Sequence, residues 1–580
     1  MGKTLCRILL IVLFIPFCAM AFSNTHPPAK GPVELKVEEL RTIYQQKKAA
    51  GYDMTEVEKT MAQIRQARQD GDGSRFIDLL KKAEIQLAGI GPQEQRPAPE
   101  TAPPPPLPAD RNVSMDDGPW PMYGHDRRHT CRSPFRGLTS PPAGPKWRFP
   151  SPGGIGGFTS SVSIGSDGTI YAGTAQNENF PMDNTRGHSG MLMAFSPDGR
   201  KKWQHDSGRG SPMICMIESG PLLTSDGMII YGKDDGHVYA VNRSGQLLWD
   251  FAAEDAFNAL RHDDNEQFIP SPVLGPDNAL YLLSHFGNVY KPQTIDALGR
   301  VPALKKVIDA YGIKGVKAQE WGKIYALDVR TGKLKWTFDP SHDSPSGRQV
   351  FFGSPAVGND GTLYAAAYCP SNRGYLYAVN PDGTLKWRYP GKGRTKIQAL
   401  CSPPAIGDDG TIYVGSFGDK DKARLYAFHP DGTLKWNYEI TENRITSGPG
   451  IGPDGTLYFG SHNHPARVGS ERPPQGHLYA VKDAGEKADL QWKFAVDYGI
   501  TASPAIDNDG NVFFSTTSIQ PVPQGALGDY FLFALNKKGE KLWEYPFKGF
   551  AWGSPAIDRD GTVYINVSRG EASVFAFGPQ

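Results

Sequence analysis

The stretch Ser354–Tyr389 reads SPAVGNDGTLYAAAYCPSNRGYLYAVNPDGTLKWRY. A short apolar segment ends at a Gly-x-Asp-Gly turn, two β-prone runs follow, and a second Asp-Gly turn leads into a run that contains Trp387. Asp-Gly between apolar runs is a strong hairpin signal, because tight turns need a positive φ that glycine adopts without steric cost. The stretch therefore predicts one four-stranded antiparallel sheet.

The same unit recurs along the chain. Its first half returns as SVSIGSDGTIYAG from Ser161, GPLLTSDGMIIYG from Gly220, SPVLGPDNALYLL from Ser271, PPAIGDDGTIYVG from Pro403, GPGIGPDGTLYFG from Gly448, SPAIDNDGNVFFS from Ser503 and SPAIDRDGTVYIN from Ser554. Its second half ends at Trp203, Trp249, Trp336, Trp387, Trp436, Trp492 and Trp543. A repeat with four strands per unit predicts a β-propeller.

The number of repeats decides how the array closes. Eight first halves are followed by only seven tryptophan ends, and the last repeat stops at Phe575–Phe577. An eighth tryptophan segment, Pro145–Phe149, lies before the first repeat. Pairing it with the last repeat removes two exposed sheet edges. We therefore predict an all-β fold over residues 118–580, an eight-bladed propeller of four-stranded antiparallel blades closed by an N-terminal strand.

The repeat resembles that of the PQQ-like (quinoprotein-type) β-propeller family, in the pattern SPAIGxDGTIYVGS followed by LYAxxPDGTLKWRF. The segment WPMYGHDRRHTCRSP, which begins at Trp120, resembles the lead-in of the same family. The resemblance implies one of two branches: quinone-dependent dehydrogenases, or BamB-like non-enzymatic binding proteins. A shared fold does not decide between them.

The N-terminal region predicts export. Residues 1–21 combine a positively charged start, the apolar core Ile8–Cys18 and the small-residue cleavage site Ala19-Met20-Ala21. The core is too short to span a bilayer, and no other stretch is apolar enough to do so. Phe17 stands where a lipid-anchor motif before Cys18 has a small residue, which argues against such an anchor. We expect a periplasmic or secreted protein.

Two further regions precede the propeller. Residues 33–90 show helical spacing of apolar residues and predict a small α-helical module, which serves either as a spacer or as a partner-docking or dimerisation unit. Residues 91–117 form a Pro-rich linker with an unbroken run at 103–106, typical of an extended, semi-rigid spacer. The net charge of +1 gives no basic face for nucleic acid.

The longest insertions predict where the propeller binds. They join the second strand to the third, or one blade to the next, and both classes emerge on one face, called here the elaborated face. The polar candidates on that face are Arg261, His262, Asp263 and Asp264 between blades 2 and 3, Arg348 and Arg444 before the inner strands of blades 4 and 6, and His462 and His464 in blade 6. The two arginines are expected at the channel mouth, where they could bind an anion. The two histidines lack a third metal ligand, so no metal site is predicted and a solvated loop is the simpler interpretation.

Cysteine usage adds one structural hypothesis. Four cysteines follow the predicted signal, and Cys369 and Cys401 are expected on the elaborated face of neighbouring blades, where a disulfide is possible in an exported protein. There is no CxxCH haem site and no CxxC zinc pair.

Function is predicted by weighing the two branches. The resemblance implies that a quinone enzyme holds PQQ and calcium in the channel, uses an aspartate base and often carries adjacent cysteines. This chain has no adjacent cysteines, and no ligand or base could be matched to a motif. We therefore expect an exported non-enzymatic binding or scaffold protein with a protein partner, no catalytic residue and no cofactor. The alternatives are a PQQ-dependent dehydrogenase and a carbohydrate- or other ligand-binding propeller.

Overall fold

The structure is a computed structural model, and the chain forms two compact units. One unit comprises residues 1–109 with 294–316; its described residues (44, 57–61, 63–64, 79 and 83) are helical, and Val57, Ile64 and Ala83 are buried. The other comprises 110–293 and 317–580. Its described residues are 113–151, 157–175, 190–207, 216–253, 264–288, 322–342, 349–369, 373–391, 397–418, 422–463, 476–517, 529–568 and 570–579. The predicted signal peptide and the Pro-rich run lie outside the described residues.

The second unit is an eight-bladed propeller of four-stranded antiparallel sheets, which confirms the predicted fold class. Blade 1 comprises β2 (Ser163–Ile164), β3 (Ile170–Gly173), β4 (Leu192–Phe195) and β5 (Lys201–His205). Blade 2 comprises β6 (Leu222–Leu223), β7 (Ile229–Gly232), β8 (His237–Val241) and β9 (Leu247–Ala252). Blade 3 comprises β11 (Val273–Leu274), β12 (Ala279–Leu283), β14 (Ile324–Asp328) and β15 (Leu334–Phe338), beside a separate pair, β10 (Asp264–Gln267) and β13 (His285–Asn288). A 3-10 helix follows at Pro340–His342.

The remaining blades repeat this plan. Blade 4 comprises β17 (Ala356–Val357), β18 (Leu363–Cys369), β19 (Arg373–Val379) and β20 (Leu385–Tyr389), with β16 (Val350–Phe351) also paired to β18. Blade 5 comprises β22 (Ala405–Ile406), β23 (Ile412–Phe417), β24 (Arg424–Phe428) and β25 (Leu434–Glu439), with β21 (Ala399–Leu400) also paired to β23. Blade 6 comprises β26 (Gly450–Ile451), β27 (Thr456–Gly460), β28 (Gly476–Asp483) and β29 (Ala488–Val496). Blade 7 comprises β30 (Ala505–Ile506), β31 (Val512–Ser515), β32 (Asp529–Leu535) and β33 (Lys541–Lys548).

Blade 8 closes the ring as predicted. It comprises β34 (Ala556–Ile557), β35 (Val563–Val567), β36 (Ser573–Phe577) and the N-terminal β1 (Trp147–Pro150). The register runs from Trp147 opposite Ala576 to Pro150 opposite Ser573. The last sheet thus takes its fourth, outermost strand from the other end of the array, and this strand covers the outer side of β36.

The tryptophans join neighbouring blades. The indole nitrogen of each of these tryptophans donates a hydrogen bond, 2.7–3.1 Å long, to an oxygen outside its own blade. Seven of the acceptors are backbone carbonyls: Trp147 to Pro197, Trp203 to Arg243, Trp249 to Val329, Trp336 to Pro381, Trp387 to Pro430, Trp492 to Lys537 and Trp543 to Leu138. The eighth, Trp436, donates to the Asp483 carboxylate. Six of these rings, all except Trp436 and Trp543, lie against the glycine of the turn that they bond. At Gly383, where φ is +87°, an added Cβ would stand 2.7 Å from Trp336.

The segment 113–138, called here the lead-in, covers the ends of the inner strands beside the Asp-Gly turns, on the face opposite the elaborated one. Six blades donate an inner-strand N–H to its carbonyls at 2.7–2.9 Å: Ile164 to Trp120, Leu223 to Pro121, Val357 to Arg127, Ile406 to Arg128, Ile451 to Thr130 and Ile506 to Cys131. The lead-in therefore seals this turn face with backbone hydrogen bonds.

Tyr123 blocks the channel from within the lead-in. Its hydroxyl lies 2.7 Å from Ser503 Oγ. A Cβ added to Gly220 would stand 3.3 Å from Tyr123 Cβ, and one added to Gly448 would stand 3.3 Å from the Tyr123 hydroxyl. Because Gly220 and Gly448 belong to blades 2 and 6, on opposite sides of the axis, the side chain reaches across the channel. Glycine at these two positions, where most repeats have serine, leaves room for it.

Candidate functional site

The candidate site is the end of the channel on the elaborated face. There the residues before an inner strand pair with the end of a second strand, as Val350 does with Tyr368 and Ala399 with Phe417. Arg444 bridges two blades, since it pairs with Phe417 on one side and His462 on the other. This extended backbone makes alternate side chains point toward and away from the channel.

The alternation is visible in the burial of all eight repeats. In each blade, the residue three positions before the inner-strand serine, or before the residue that replaces it, has an apolar side chain with no exposed surface. These residues are Phe158, Ile217, Phe268, Phe351, Leu400, Ile445, Ile500 and Ala551. The next residue in each blade is half-buried or exposed: Thr159, Glu218, Ile269, Phe352, Cys401, Thr446, Thr501 and Trp552. We call these eight residues the mouth ring. Equivalent positions in a propeller encircle its axis, so the mouth ring surrounds the open end of the channel.

Two members of the mouth ring are exposed aromatic residues. The described residues include six exposed large apolar side chains, of which four are leucines on fourth strands: Leu247, Leu334, Leu385 and Leu490. The other two are Phe352, 45 % exposed, and Trp552, 52 % exposed. They belong to blades 4 and 8, so they face each other across the axis of an eight-bladed ring. Exposed aromatics at one concave place are typical of a binding surface.

Phe352 begins a row of ring contacts, which we call the aromatic strip. Phe352 stacks on Tyr368 with centroids 5.6 Å apart, and Tyr368 meets Phe417 edge-on at 6.1 Å. The Arg444 guanidinium lies 4.6 Å from the centre of the Phe417 ring. A guanidinium this close to the face of an aromatic ring is attracted by the ring's electrons. The aromatic strip thus joins an exposed apolar surface to a cation.

The electrostatics of the mouth ring differ from blade to blade. Burial raises the pKa of Glu218. Burial also raises the pKa of Asp234, and the neighbouring Glu218 raises it further. The Asp234 carboxyl accepts a hydrogen bond from the Met216 amide at 2.8 Å. On the opposite side of the ring stands Arg444. Burial raises the pKa of the Cys401 thiol to about 12, so at pH 7 this thiol is neutral.

Two of the residues singled out from sequence come together. The His462 amide donates to the Arg444 carbonyl at 3.1 Å, and His462 Nε2 lies 3.1 Å from Thr446 Oγ1. His462 is only 1 % exposed, so its ring is part of the wall rather than of a solvated loop. Arg261, His262, Asp263, Arg348 and His464 lie outside the described residues, and Asp264 is described only as backbone in β10.

The disulfide hypothesis does not hold in this structure. Cys401 is a free cysteine whose sulfur lies 4.0 Å from the Ile445 carbonyl oxygen, so it is not bridged to Cys369. Within the described ranges, no group of three or more His, Cys, Asp or Glu side chains is arranged to hold a metal ion. No helix in the described part of the chain is long and apolar enough to cross a membrane.

Sequence reasoning missed the two exposed aromatic residues. Aligning the repeats on the inner-strand serine would have shown one position that varies among Thr, Glu, Ile, Phe, Cys and Trp between positions that stay apolar or small. A variable position inside a constant repeat is a signal of function that needs only the repeats themselves.

Comparison with known proteins supports the fold. The sequence profile of the family described as outer membrane protein assembly factor BamB matches residues 320–518. The chain has a PQQ-like β-propeller fold. A europium-containing methanol dehydrogenase is 14 % identical over 78 % of this chain and 89 % of its own, with a TM-score of 0.53. Quinohemoprotein alcohol dehydrogenase from Comamonas testosteroni is 15 % identical over 79 % and 80 %, with a TM-score of 0.52.

BamB from Moraxella catarrhalis is 12 % identical over 75 % of this chain and 98 % of its own, with a TM-score of 0.41. A search of curated proteins finds no match. At these identities, the two dehydrogenases show a common fold and not a common chemistry.

Proposed function

We propose that this protein is an exported, non-enzymatic scaffold that docks a protein partner on the mouth ring of its propeller. The observation that carries the proposal is Trp552, a large aromatic side chain left half in water at the open end of the channel. Tryptophan and arginine are the residue types that most often dominate protein interfaces. Arg444, fixed against Phe417, supplies the second anchor.

The sealed turn face supports the same conclusion. Because the lead-in and Tyr123 close the channel from that side, a partner is expected to approach the channel from the elaborated face. The family profile that matches residues 320–518 is described as an assembly factor, which supports a role in binding other proteins. The N-terminal segment supports export, since it has the three parts of a secretory signal.

The test is affinity capture by the full chain from an envelope fraction of its source cell, followed by mass spectrometry. Trp552→Ser is expected to reduce recovery of the specific partner at least about tenfold, as loss of a central anchor does. Leu334→Ser is the matched control, because Leu334 is 51 % exposed but stands on the outer rim. Equal recovery by the Trp552 variant and the wild type would contradict the proposal.

A second measurement addresses the quinone alternative. Purified protein is titrated with PQQ and Ca²⁺ and followed by quinone absorbance and by dye-linked alcohol oxidation. The scaffold proposal expects neither saturable PQQ binding nor turnover. Oxidation that depends on both additions would replace the proposal with an enzymatic function.

A further inference from the structure

The blade 4 side of the mouth ring holds an aromatic surface that is both exposed and rigid. Phe352 is 45 % exposed, yet one side of its ring stacks on Tyr368 at an interplanar angle of 23°. His285 meets it edge-on, with centroids 4.9 Å apart. The backbone beside it is closely packed, since a Cβ added to Gly353 would stand 2.5 Å from the Pro403 nitrogen. A ring held by two neighbouring rings loses little conformational entropy when a ligand covers its free surface.

His285 adds a polar group with unused bonding capacity. It is 8 % exposed, and its Nδ1 is buried with no hydrogen-bond partner in the described part of the chain. Burial lowers its pKa to about 4, so the imidazole is neutral at pH 7. A buried polar atom without a partner is uncommon and costly, and it indicates a place where a ligand or water supplies the missing bond.

The neighbouring members of the mouth ring are uncharged. Going round from blade 3 to blade 7 they are Ile269, Phe352, Cys401, Thr446 and Thr501. Thr501 Oγ1 is a second buried atom for which the described residues offer no partner. This half of the ring therefore combines an aromatic surface, hydroxyl groups and a neutral imidazole, with the Arg444 guanidinium at the far end of the aromatic strip. A neutral imidazole gives no preference for a charged ligand, whereas it can exchange hydrogen bonds with a hydroxyl group.

We propose that this half of the mouth ring is a binding subsite for a neutral pyranose saccharide. The apolar C–H face of a sugar ring covers Phe352, and a sugar hydroxyl pairs with His285 Nδ1. An aromatic ring beside orphaned neutral hydrogen-bonding groups matches a ligand that is apolar on its faces and polar around its edge. The subsite goes beyond the proposed scaffold function, since it needs no protein partner and its test residues, Phe352 and His285, differ from Trp552.

The test uses the full chain with soluble hexasaccharides: cellohexaose, maltohexaose and chitohexaose. Binding is measured by isothermal titration and by saturation-transfer NMR of the sugar protons. At least one hexasaccharide is expected to bind with a Kd of about 1 mM or tighter. Phe352→Ser is expected to weaken that binding at least about tenfold, whereas Phe352→Trp, which restores an aromatic surface, is expected to retain it.

Further variants separate a sugar subsite from a structural role. His285→Phe keeps an aromatic ring beside Phe352 but removes Nδ1, and it is expected to weaken binding several-fold at a melting temperature no lower than that of the wild type. Leu334→Ser is the control and is expected to bind as the wild type does. Absence of binding to all three sugars at about 10 mM, or binding that Phe352→Ser leaves unchanged, overturns the proposal.

The scaffold proposal can fail or survive separately. If Trp552→Ser abolishes partner capture while no sugar binds, the scaffold stands and the saccharide subsite is wrong. If sugar binding depends on Phe352 but Trp552→Ser leaves capture of the protein partner unchanged, the saccharide subsite is supported and the scaffold proposal is wrong.

Discussion

The two ends of this propeller are built from the same repeat and finished in opposite ways. At the turn face, six inner strands give their last N–H to the lead-in, and Tyr123 fills the axis. At the elaborated face, equivalent positions carry eight side chains of six residue types, two of them exposed aromatics. One end is therefore held by backbone groups that every repeat shares, and the other is distinguished by side chains.

This difference teaches where sequence variation is tolerated in a repeat protein. Backbone hydrogen bonds depend on the strand ending at the same place in each blade, which the Gly-x-Asp-Gly turn ensures. In blade 4 that turn is fixed by Asp360, which accepts bonds from the Thr362 amide at 3.0 Å and from Lys386 Nζ at 2.8 Å. The mouth ring contributes side chains rather than shared backbone hydrogen bonds, and its eight positions hold six residue types. Specificity can change there without loss of the fold.

The largest expected effect contrasts one tryptophan at each end. Trp120, in the lead-in, is 1 % exposed and packs in a core cluster with residues of blades 1, 7 and 8, whereas Trp552 is 52 % exposed. Trp120→Ala is expected to lower the free energy of unfolding by about 3–5 kcal/mol, because it leaves a cavity. Trp552→Ala is expected to change it by less than about 0.5 kcal/mol. Urea unfolding followed by circular dichroism measures both, and similar losses would show that the two ends are not different.

The fold could be predicted almost completely from the sequence, for a physical reason. Asp-Gly turns, β-prone runs and the tryptophan endings are local signals repeated eight times, so an error in one repeat is corrected by the others. The number of tryptophan endings, one fewer than the number of first halves, predicted that Pro145–Phe149 closes the ring. The structure confirms this, since β1 pairs with β36. The lead-in was recognised only as a likeness to a family, because its hydrogen bonds join residues far apart in the chain and follow no periodic pattern.

Only a few of the residues singled out from sequence lie in the described part of the chain. Arg444 was expected at the mouth, and the structure places it between Phe417 and His462. Phe352 and Trp552 were not predicted, because in a sequence an exposed aromatic residue beside a strand looks the same as a core residue. His462 was predicted to lie in a solvated loop, because the sequence His-Asn-His gives no sign of the backbone pairing with Arg444. The structure shows that His462 is buried. Contacts between blades are the information that a single repeat lacks.

A smaller effect is expected at the turn between β28 and β29, where the joint between blades 5 and 6 uses a carboxylate. Asp483 accepts hydrogen bonds from Trp436 Nε1 at 3.0 Å, Lys435 Nζ at 2.8 Å and Tyr413 at 2.8 Å. Asp483→Asn is expected to cost about 1–3 kcal/mol at pH 7, because a charged acceptor is lost from a set of donors. Asp382→Asn is the matched control in the corresponding turn of blade 4, where Trp336 bonds the Pro381 carbonyl instead; its melting temperature is expected to stay that of the wild type.

The pH dependence of that effect has a definite sign. Burial raises the pKa of Asp483, but the bonds from Lys435, Gly485, Tyr413 and Trp436 outweigh it and leave the pKa below its ordinary value. A carboxyl group with a lowered pKa stabilises the fold above its unfolded-state pKa, and this stabilisation is lost as the pH falls through the folded-state pKa. The difference between wild type and Asp483→Asn is therefore expected to be full at pH 6–7, above the ordinary Asp pKa of about 4, and to shrink below it. A difference that does not change between pH 7 and pH 3 would contradict this account.

The smallest expected effect has the opposite sign and lies in the mouth ring. Burial raises the pKa of Glu218, so the folded protein binds its proton more tightly than the unfolded chain does. The ionised form then destabilises the fold once the pH rises above the unfolded-state pKa of about 4.3. Glu218→Gln is expected to raise the melting temperature slightly at pH 7 and to leave it unchanged at pH 3. Asp234→Asn is the comparison, because the pKa of Asp234 is raised by burial and by the nearby Glu218. If Glu218→Gln lowered the melting temperature at pH 7, the Glu218 carboxylate would stabilise the fold. The mouth ring would then contribute to stability, as the sealed turn face does.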